Sequence, residues 1–331
     1  MITGRSWRAR EFGDPQAVLR LEDVAWEPPA PGRLLVRVSA CGVGLPDLLM
    51  VQGRYPLTPS PPVQPGQEVV GVVVAAGAET DFRVGDRVMG LTPFPEGEGG
   101  FGDHAYVRAS KTILAPSTLS DEEAAGFMIG FRTAHAALIS RLTVEPGQTV
   151  AVLGASGSSG LAAVSLAKAL GARVIAIASN PDKLAFCAGS GADDCIDYRT
   201  SDVGAEILAL TDGDGADVLF DPVGGDVAAQ AVKGVRSRGS IAVIGFASGQ
   251  WIDAPVAEVV MRNLALVGVF AGGFTIEEDA AMNRRLLDLA TSGSIRPALG
   301  GSHPFAEVPD LLHRLDRGVP PGKITVTVGA T

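Results

Sequence analysis

Uninterrupted apolar runs recur through the middle of the chain: "TVAVLG" (149–154), "RVIAIAS" (173–179), "DCIDY" (194–198), "DVLFDP" (217–222), "SIAVIG" (240–245) and "LALVGVF" (264–270). A strand buried on both faces reads as such a run, whereas a half-exposed strand alternates. Between most of the runs lie alanine-rich stretches such as "SSGLAAVSLAKALG" and "DVAAQAVKGVRSRG", each closing on the glycine that helices favour at their C-terminal end. The pattern predicts βαβ units: a doubly wound parallel sheet of about six strands with helices on both faces.

The chain before about Leu119 has another texture. Pro and Gly punctuate short β-rich runs, "GRLLVRVSACGV", "QEVVGVVVAAG", "GDRVMGL" and "HAYVRASKTILAP", which predicts an antiparallel or mixed β domain, a distorted barrel. Ser120 with Glu123 three residues on is a capping-box signature that opens a helix. After the last run, "IEEDAAMNRRLLDLATSG" reads as a helix and "GKITVTVG" as an edge-like strand, with no βαβ rhythm. This tail is expected to pack back on the first domain, giving boundaries 1–125, 126–268 and 269–331. No internal repeat or low-complexity tract is present.

Composition narrows the function classes. A chain of 331 residues that is 46% hydrophobic can bury two cores. Its formal charge of −10 argues against nucleic acid and anionic membrane as partners. Cys41, Cys187 and Cys195 fit neither a disulfide framework nor a four-cysteine zinc lobe, as expected of a reducing cytosol. No signal-peptide core or membrane-length apolar run is seen, so the expectation is a soluble, cytoplasmic protein.

The candidate chemistry begins after the first run. There Ala155-Ser156-Gly157-Ser158-Ser159-Gly160 joins a strand to a helix within a βαβ unit of the right length. In a dinucleotide fold the first small residue makes the turn, the second lets a pyrophosphate approach and the third lets helix and strand touch. The helix N-terminus offers that pyrophosphate free N–H groups and a positive dipole end. Ala155 stands in the place of the first glycine.

The end of the second strand bears on cofactor choice. An NAD site places Asp or Glu there for the ribose hydroxyls. Here "ASNPDK" offers Ser179, Asn180 and Lys183, while Asp182 lies beyond the tip and is expected to start the next helix. A 2′-phosphate finds donors there, so the expected cofactor is NADPH.

With these residues on the page, the chain resembles the zinc-independent quinone oxidoreductase branch of the medium-chain dehydrogenase/reductase superfamily. The resemblance runs through "CGVGLPDLLMVQGRYP", "PGQEVVGVVVAAG", "GDRVMG", "GGFGDHAYV", "GFRTAHAAL", "GASGSSG", "KALGARVIA", "CIDYR", "VLFDPVGG" and "GKITV". It implies a GroES-like distorted β-barrel catalytic domain, built from the N-terminal part and the tail, around an NADPH-binding Rossmann domain. It implies a homodimer through the strand from Leu264 to Phe270. It adds Tyr198 to the 2′-phosphate site, Thr133, Val223, Gly224, Phe246 and Phe270 to the nicotinamide half, and Lys323 to the cofactor residues. Tyr55 matches a family tyrosine near the pocket mouth, read equally as a structural aromatic and as a substrate contact or proton donor.

Zinc-dependent relatives carry a cysteine three residues before the aspartate of the first motif and Gly-His-Glu in the second. Here Gly44 precedes Asp47 and Gln67 sits in Gly66-Gln67-Glu68, and neither serves as a tetrahedral zinc ligand. Residues 91–110 hold no cysteine, Cys41 is out of register and reads as a buried thiol, and His104, His135, His303 and His313 lack ligand spacing. No metal is expected. Gly44 also departs from the zinc-independent branch, which commonly has asparagine there, and Leu49 replaces a common aromatic; the pocket should be roomier and less polar. Without a Lewis acid, an acceptor that takes hydride readily is favoured, a quinone or an α,β-unsaturated carbonyl. Two alternatives stand beside this expectation: an enoyl-thioester reductase, and an NADPH-binding protein with little turnover.

Overall fold

The computed structural model describes residues 1–318 and 320–329. The chain divides into two units: the first comprises Met1–Ile129 and the chain from Thr275 onward, except Pro320–Gly322, which belong with Gly130–Phe274 in the second. No helix among the described residues is long and apolar enough to cross a membrane.

In the first unit, β1 (Ile2–Ala9) and β2 (Leu19–Trp26) form an antiparallel pair. Their half-exposed, charge-bearing faces gave no apolar run in the sequence. There follow β3 (Arg33–Val43), β4 (Glu68–Ala76), β5 (Arg87–Leu91), β6 (His104–Arg108) and β7 (Thr112–Leu114). Leu34, Val36, Val38, Val69, Val73 and Phe101 bury their side chains in one core. At about 1.5–3 kcal/mol for each large apolar side chain, this burial drives the unit's assembly.

In the second unit the apolar runs become β8 (Thr149–Leu153), β9 (Arg173–Ala178), β10 (Asp194–Asp197), β11 (Ala216–Asp221), β12 (Val235–Val243) and β13 (Ala265–Gly268). All pair in parallel, in the order β10-β9-β8-β11-β12-β13. This is the predicted doubly wound sheet. Two boundaries differ. The helix read through "DVAAQAVKGVRSRG" spans only Gly225–Lys233, and β12 begins at Val235. A side chain on Gly234 would meet Ile207 at 2.7 Å, so close packing requires glycine at this helix end, and the polar residues that follow enter a strand. The last run is strand only over Ala265–Gly268, an outer edge whose Leu266 is exposed.

The tail belongs to the first unit. It adds β14 (Leu299–Pro304) and β15 (Lys323–Thr327), giving the order β14-β15-β3-β4-β5-β7, with β6 on β3. β15 is thus interior, not an edge. Its partner β14, "LGGSHP", has glycines and a proline where a strand signal is sought, so only the ladder Leu299↔Lys323 through Pro304↔Thr327 defines it.

Candidate functional site

The second unit carries the glycine turn. β8 ends at Leu153 and a helix runs from Ser158 to Ala169. The left-handed residue that makes the turn is Gly154, at φ +57°, one position before the Ala155 to which the fingerprint assigned it. Ala155 is fully buried, its N–H donating to the Ile177 carbonyl at 3.1 Å. A Cβ on Gly160 would lie 2.4 Å from the Gly154 carbonyl oxygen, so close packing of helix on strand requires glycine. Gly157 is different: at φ −84° its added Cβ would meet only the Gly154 oxygen, at 3.3 Å. The protein itself leaves room over Gly157.

No side chain caps this helix. The first intrahelical bond runs from the Leu161 N–H to the Gly157 carbonyl, leaving the N–H groups of Ser158, Ser159 and Gly160 to other acceptors. The Ser158 hydroxyl is buried with no hydrogen-bond partner among the described residues. Ser156 uses its carbonyl to accept the Gly322 N–H at 2.9 Å. An open approach, free donors and a positive dipole end fit an anionic group such as a pyrophosphate.

At the end of β9, Ser179 and Asn180 lead into a helix over Pro181–Gly189. Asn180 gives its side-chain oxygen to the Lys183 N–H at 2.9 Å, so that oxygen caps the helix; Asp182 lies in its first turn. Asp197 on β10 pairs with Ala178 on β9, which carries Tyr198 and Arg199 up beside Ser179. Tyr198 N–H donates to the Ala178 carbonyl at 3.1 Å, and the Arg199 guanidinium reaches the Ser179 carbonyl at 3.4 Å. Sequence reasoning passed over Arg199, although "CIDYR" contains it, because only the β9–β10 register makes it a neighbour of Ser179.

At the end of β11, Asp221 accepts the N–H groups of Val223 (2.9 Å) and Gly224 (2.8 Å) on one carboxylate oxygen, holding the turn in which Gly224 adopts φ +69°. Burial pushes the Asp221 carboxyl up, against those two bonds. Phe246 packs on Trp251 with ring centroids 4.7 Å apart; Phe270 is largely exposed and Thr133 is half-buried on the helix Met128–His135.

The first unit holds a buried ionic cluster of Asp47, Glu68 and Lys323, of which the motif reading used the two acids only as landmarks. The short helix Leu45–Val51 starts at Gly44 and carries Asp47 inward. One Asp47 oxygen accepts the Gly44 N–H at 2.8 Å and the other the Gly66 N–H at 2.9 Å. Glu68, at the start of β4, accepts the Ile129 N–H at 2.9 Å and pairs with the Lys323 ammonium at 2.6 Å. The side chains of Lys323 and Glu68 are 6% and 1% exposed, so the ammonium that the family pattern assigned to the cofactor is held inside this unit by a carboxylate. Burial pushes the Asp47 carboxyl up to about 7, opposed by the Lys323 charge and the two N–H donors. The sequence signal for the cluster is acids set in apolar surroundings, "GLPDLLM" and "GQEVVG".

Around this cluster, Cys41 is fully buried and donates to the Gly100 carbonyl at 2.8 Å, its thiol pushed well up by burial. Tyr55 stands edge-on to Phe94 at 5.6 Å. Burial raises its hydroxyl pKa, a hydrogen bond with the Gln67 side chain lowers it and Asp47 raises it. His135, His303 and His313 hydrogen-bond Ser140, Glu307 and Asp14 respectively, and His104 lies tilted against Trp26 with ring centroids 5.4 Å apart.

A GroES-type β unit and a dinucleotide-type parallel sheet on one chain define a medium-chain dehydrogenase/reductase architecture. Residues 30–117 match the alcohol dehydrogenase GroES-like domain and residues 160–290 the family described as zinc-binding dehydrogenase. A quinone oxidoreductase-like protein 2 homolog of Nematostella vectensis is 36% identical over 294 residues, 86% of this chain and 78% of the relative. Quinone oxidoreductase-like protein 2 of Bos taurus is 29% identical over 98% of this chain and 93% of its own. The structure of a Pseudomonas syringae quinone oxidoreductase superposes with a TM-score of 0.87 at 28% identity, covering 98% of this chain and 100% of that one. A mycobacterial protein solved in complex with NADPH superposes with a TM-score of 0.88, also at 28% identity, over 98% and 100%. The chain belongs to the quinone oxidoreductase branch of the medium-chain dehydrogenase/reductase superfamily.

Proposed function

We propose that this protein is an NADPH-dependent oxidoreductase that delivers hydride to a quinone or another activated conjugated carbonyl without zinc. The observation that carries the reading is the pair of anion-ready features in the second unit. The helix over Ser158–Ala169 begins uncapped beside an open Gly157. The end of β9 gathers Ser179, Lys183, Tyr198 and Arg199, and the carboxylate of Asp197 is engaged by the Arg199 N–H at 2.9 Å. These residues would hold the pyrophosphate and the 2′-phosphate, with Val223, Gly224, Phe246, Phe270 and Thr133 on the nicotinamide half. When bound, NADPH supplies the hydride.

The residues of this chain then position the reactants and exclude water, the terms expected to carry catalysis of an easily reduced acceptor. Gly44 has no side chain and Gln67 offers an amide, so zinc independence follows from the donor set at those positions. The Tyr55 hydroxyl is the candidate proton donor of the first unit, with its pKa raised by burial.

The proposed assembly is a homodimer in which β13, an outer edge, pairs with its copy. Three free cysteines support a cytoplasmic setting. The deciding experiment is NADPH oxidation assayed against quinones, enones and enoyl thioesters, before and after chelation. Turnover with quinones or enones that survives chelation is expected. Preference for enoyl thioesters would shift the assignment to enoyl reduction, and binding of NADPH with no turnover would leave a cofactor-binding protein.

A further inference from the structure

Two free cysteines sit on the pair of elements that builds the Ser179 corner of the second unit. Cys187 lies on the helix over Pro181–Gly189, one turn after Lys183, and Cys195 lies on β10, three residues before Tyr198. The connection between them is short, and the Ala192 N–H folds it back by donating to the Cys187 carbonyl at 3.1 Å. The strand therefore returns along the helix it follows. Cys195 turns its thiol toward that helix and donates to the Leu184 carbonyl at 3.5 Å. Helical side chains lean toward the N-terminus, so Cys187 lies over the turn that carries Leu184, three residues before it. Both sulfurs thus belong to one turn of the helix. Cys187 is fully buried there, whereas Cys195 is exposed on the outermost strand of the sheet. Burial pushes the Cys187 thiol up to about 12; a charge on Cys195 pushes the same way, and the Lys183 ammonium pulls against both. The two sulfurs and the Lys183 charge share one neighbourhood.

We propose that Cys187 and Cys195 are a redox-active dithiol that a peroxide oxidises to a disulfide, and that the disulfide loosens the hold of this corner on a 2′-phosphate. The inference rests on the NADPH reading and deepens it by making cofactor affinity depend on thiol state. The exposed Cys195 sulfur attacks the peroxide: its S–H bond and the O–O bond break, an S–O bond forms, and one water leaves behind a sulfenic acid. Cys187 then attacks that sulfur; the S–O bond breaks, the S–S bond forms, and the Cys187 proton leaves in a second water. The two thiols have lost two electrons and the peroxide has gained them. A disulfide draws its Cβ atoms to about 3.8 Å, whereas the reduced pair meets across a helix carbonyl. Closing the bond shifts the helix against β10. Lys183 rides on the helix, and Tyr198 with Arg199 follows the strand, so the donors around the phosphate lose their mutual setting. Linkage runs both ways: if oxidation weakens NADPH binding tenfold, bound NADPH favours the dithiol by the same factor, raising the disulfide's potential by about 30 mV. The loaded protein is protected, and the empty one is the form that oxidises.

The test compares reduced protein with protein treated with hydrogen peroxide, using non-reducing peptide mass spectrometry and fluorescence titration with NADPH and NADH. The oxidised wild type should carry a Cys187–Cys195 linkage and bind NADPH about tenfold more weakly, the size of one lost charge-assisted bond. NADH affinity should stay within about twofold, and dithiothreitol should restore NADPH binding. In glutathione redox buffers, saturating NADPH should move the midpoint by about 30 mV toward more oxidising mixtures. Cys195→Ser, a change at an exposed position, should bind NADPH as the reduced wild type does and be indifferent to peroxide. Cys187→Ala should stop at the sulfenic acid, which dimedone traps on Cys195. Absence of the linkage in the oxidised wild type overturns the proposal. So does a linkage that leaves NADPH affinity unchanged or weakens NADH equally, and so does peroxide sensitivity that persists in Cys195→Ser. Failure of the NADPH reading shows before any oxidant is added: the reduced protein then binds NADPH no more tightly than NADH, whether or not the linkage forms.

Discussion

The Lys323 ammonium and the Glu68 carboxylate face each other at 2.6 Å inside the first unit, joining β15 of the tail to β4 of the N-terminal part. Removing one partner of such a pair strands a buried charge, a loss of about 3–5 kcal/mol. Lys323→Met alone should therefore lower the urea-unfolding free energy by that order. Adding Glu68→Gln should recover most of the loss, whereas simple additivity of the two single changes would show that the pair is not coupled.

Asp47 gives stability a pH signature. Its carboxyl rises from the usual 3.8 to about 7 in the folded protein, so between those values the native state holds a proton that the unfolded chain has released. Its favourable contribution is complete below about 3.8 and is lost as pH rises through about 7. Asp47→Asn should gain on the wild type by up to about 1.4 kcal/mol per pH unit across that window. Urea titrations at several pH values check it, and a difference that shrinks with rising pH contradicts the assignment.

Lys183 and Arg199 divide the two nicotinamide cofactors. Charge-assisted bonds are worth roughly 1.5–3 kcal/mol each, so Lys183→Ala or Arg199→Ala should weaken NADPH binding by about tenfold or more and leave NADH almost unchanged. Fluorescence titration with both cofactors measures this. Equal weakening of the two would remove the 2′-phosphate from this corner.

Gly157 and Gly160 should fail in different ways. Gly160→Ala forces a Cβ to 2.4 Å from the Gly154 oxygen and should destabilise the fold by about 1–3 kcal/mol. Gly157→Ala should keep the melting temperature and lose cofactor affinity, because its Cβ enters space that only a ligand uses. A Gly157→Ala protein that binds NADPH like the wild type would show that the approach lies elsewhere.

The exposed edge at β13 predicts a dimer. Light scattering at micromolar concentration should give twice the chain mass, and Val267→Pro, which disfavours the strand, should shift the protein toward monomer. A monomeric wild type would sink the pairing.

The alternation of apolar runs with alanine-rich helices was enough to place the parallel sheet, because a strand buried on both faces writes its burial directly into composition. The glycine turn was legible for the same local reason: small residues at fixed spacing between a strand and a helix have few other uses. Tertiary structure decided what depended on partners distant in the chain. β14 exists through its ladder with β15, and Arg199 reaches Ser179 through the β9–β10 register. Asp47, Glu68 and Lys323 were visible as residues, yet their charges acquire meaning only where folding removes water and brings position 323 to position 68. Periodicity records burial, which is local along the chain, whereas ionic pairing in a dry core depends on which segments fold together.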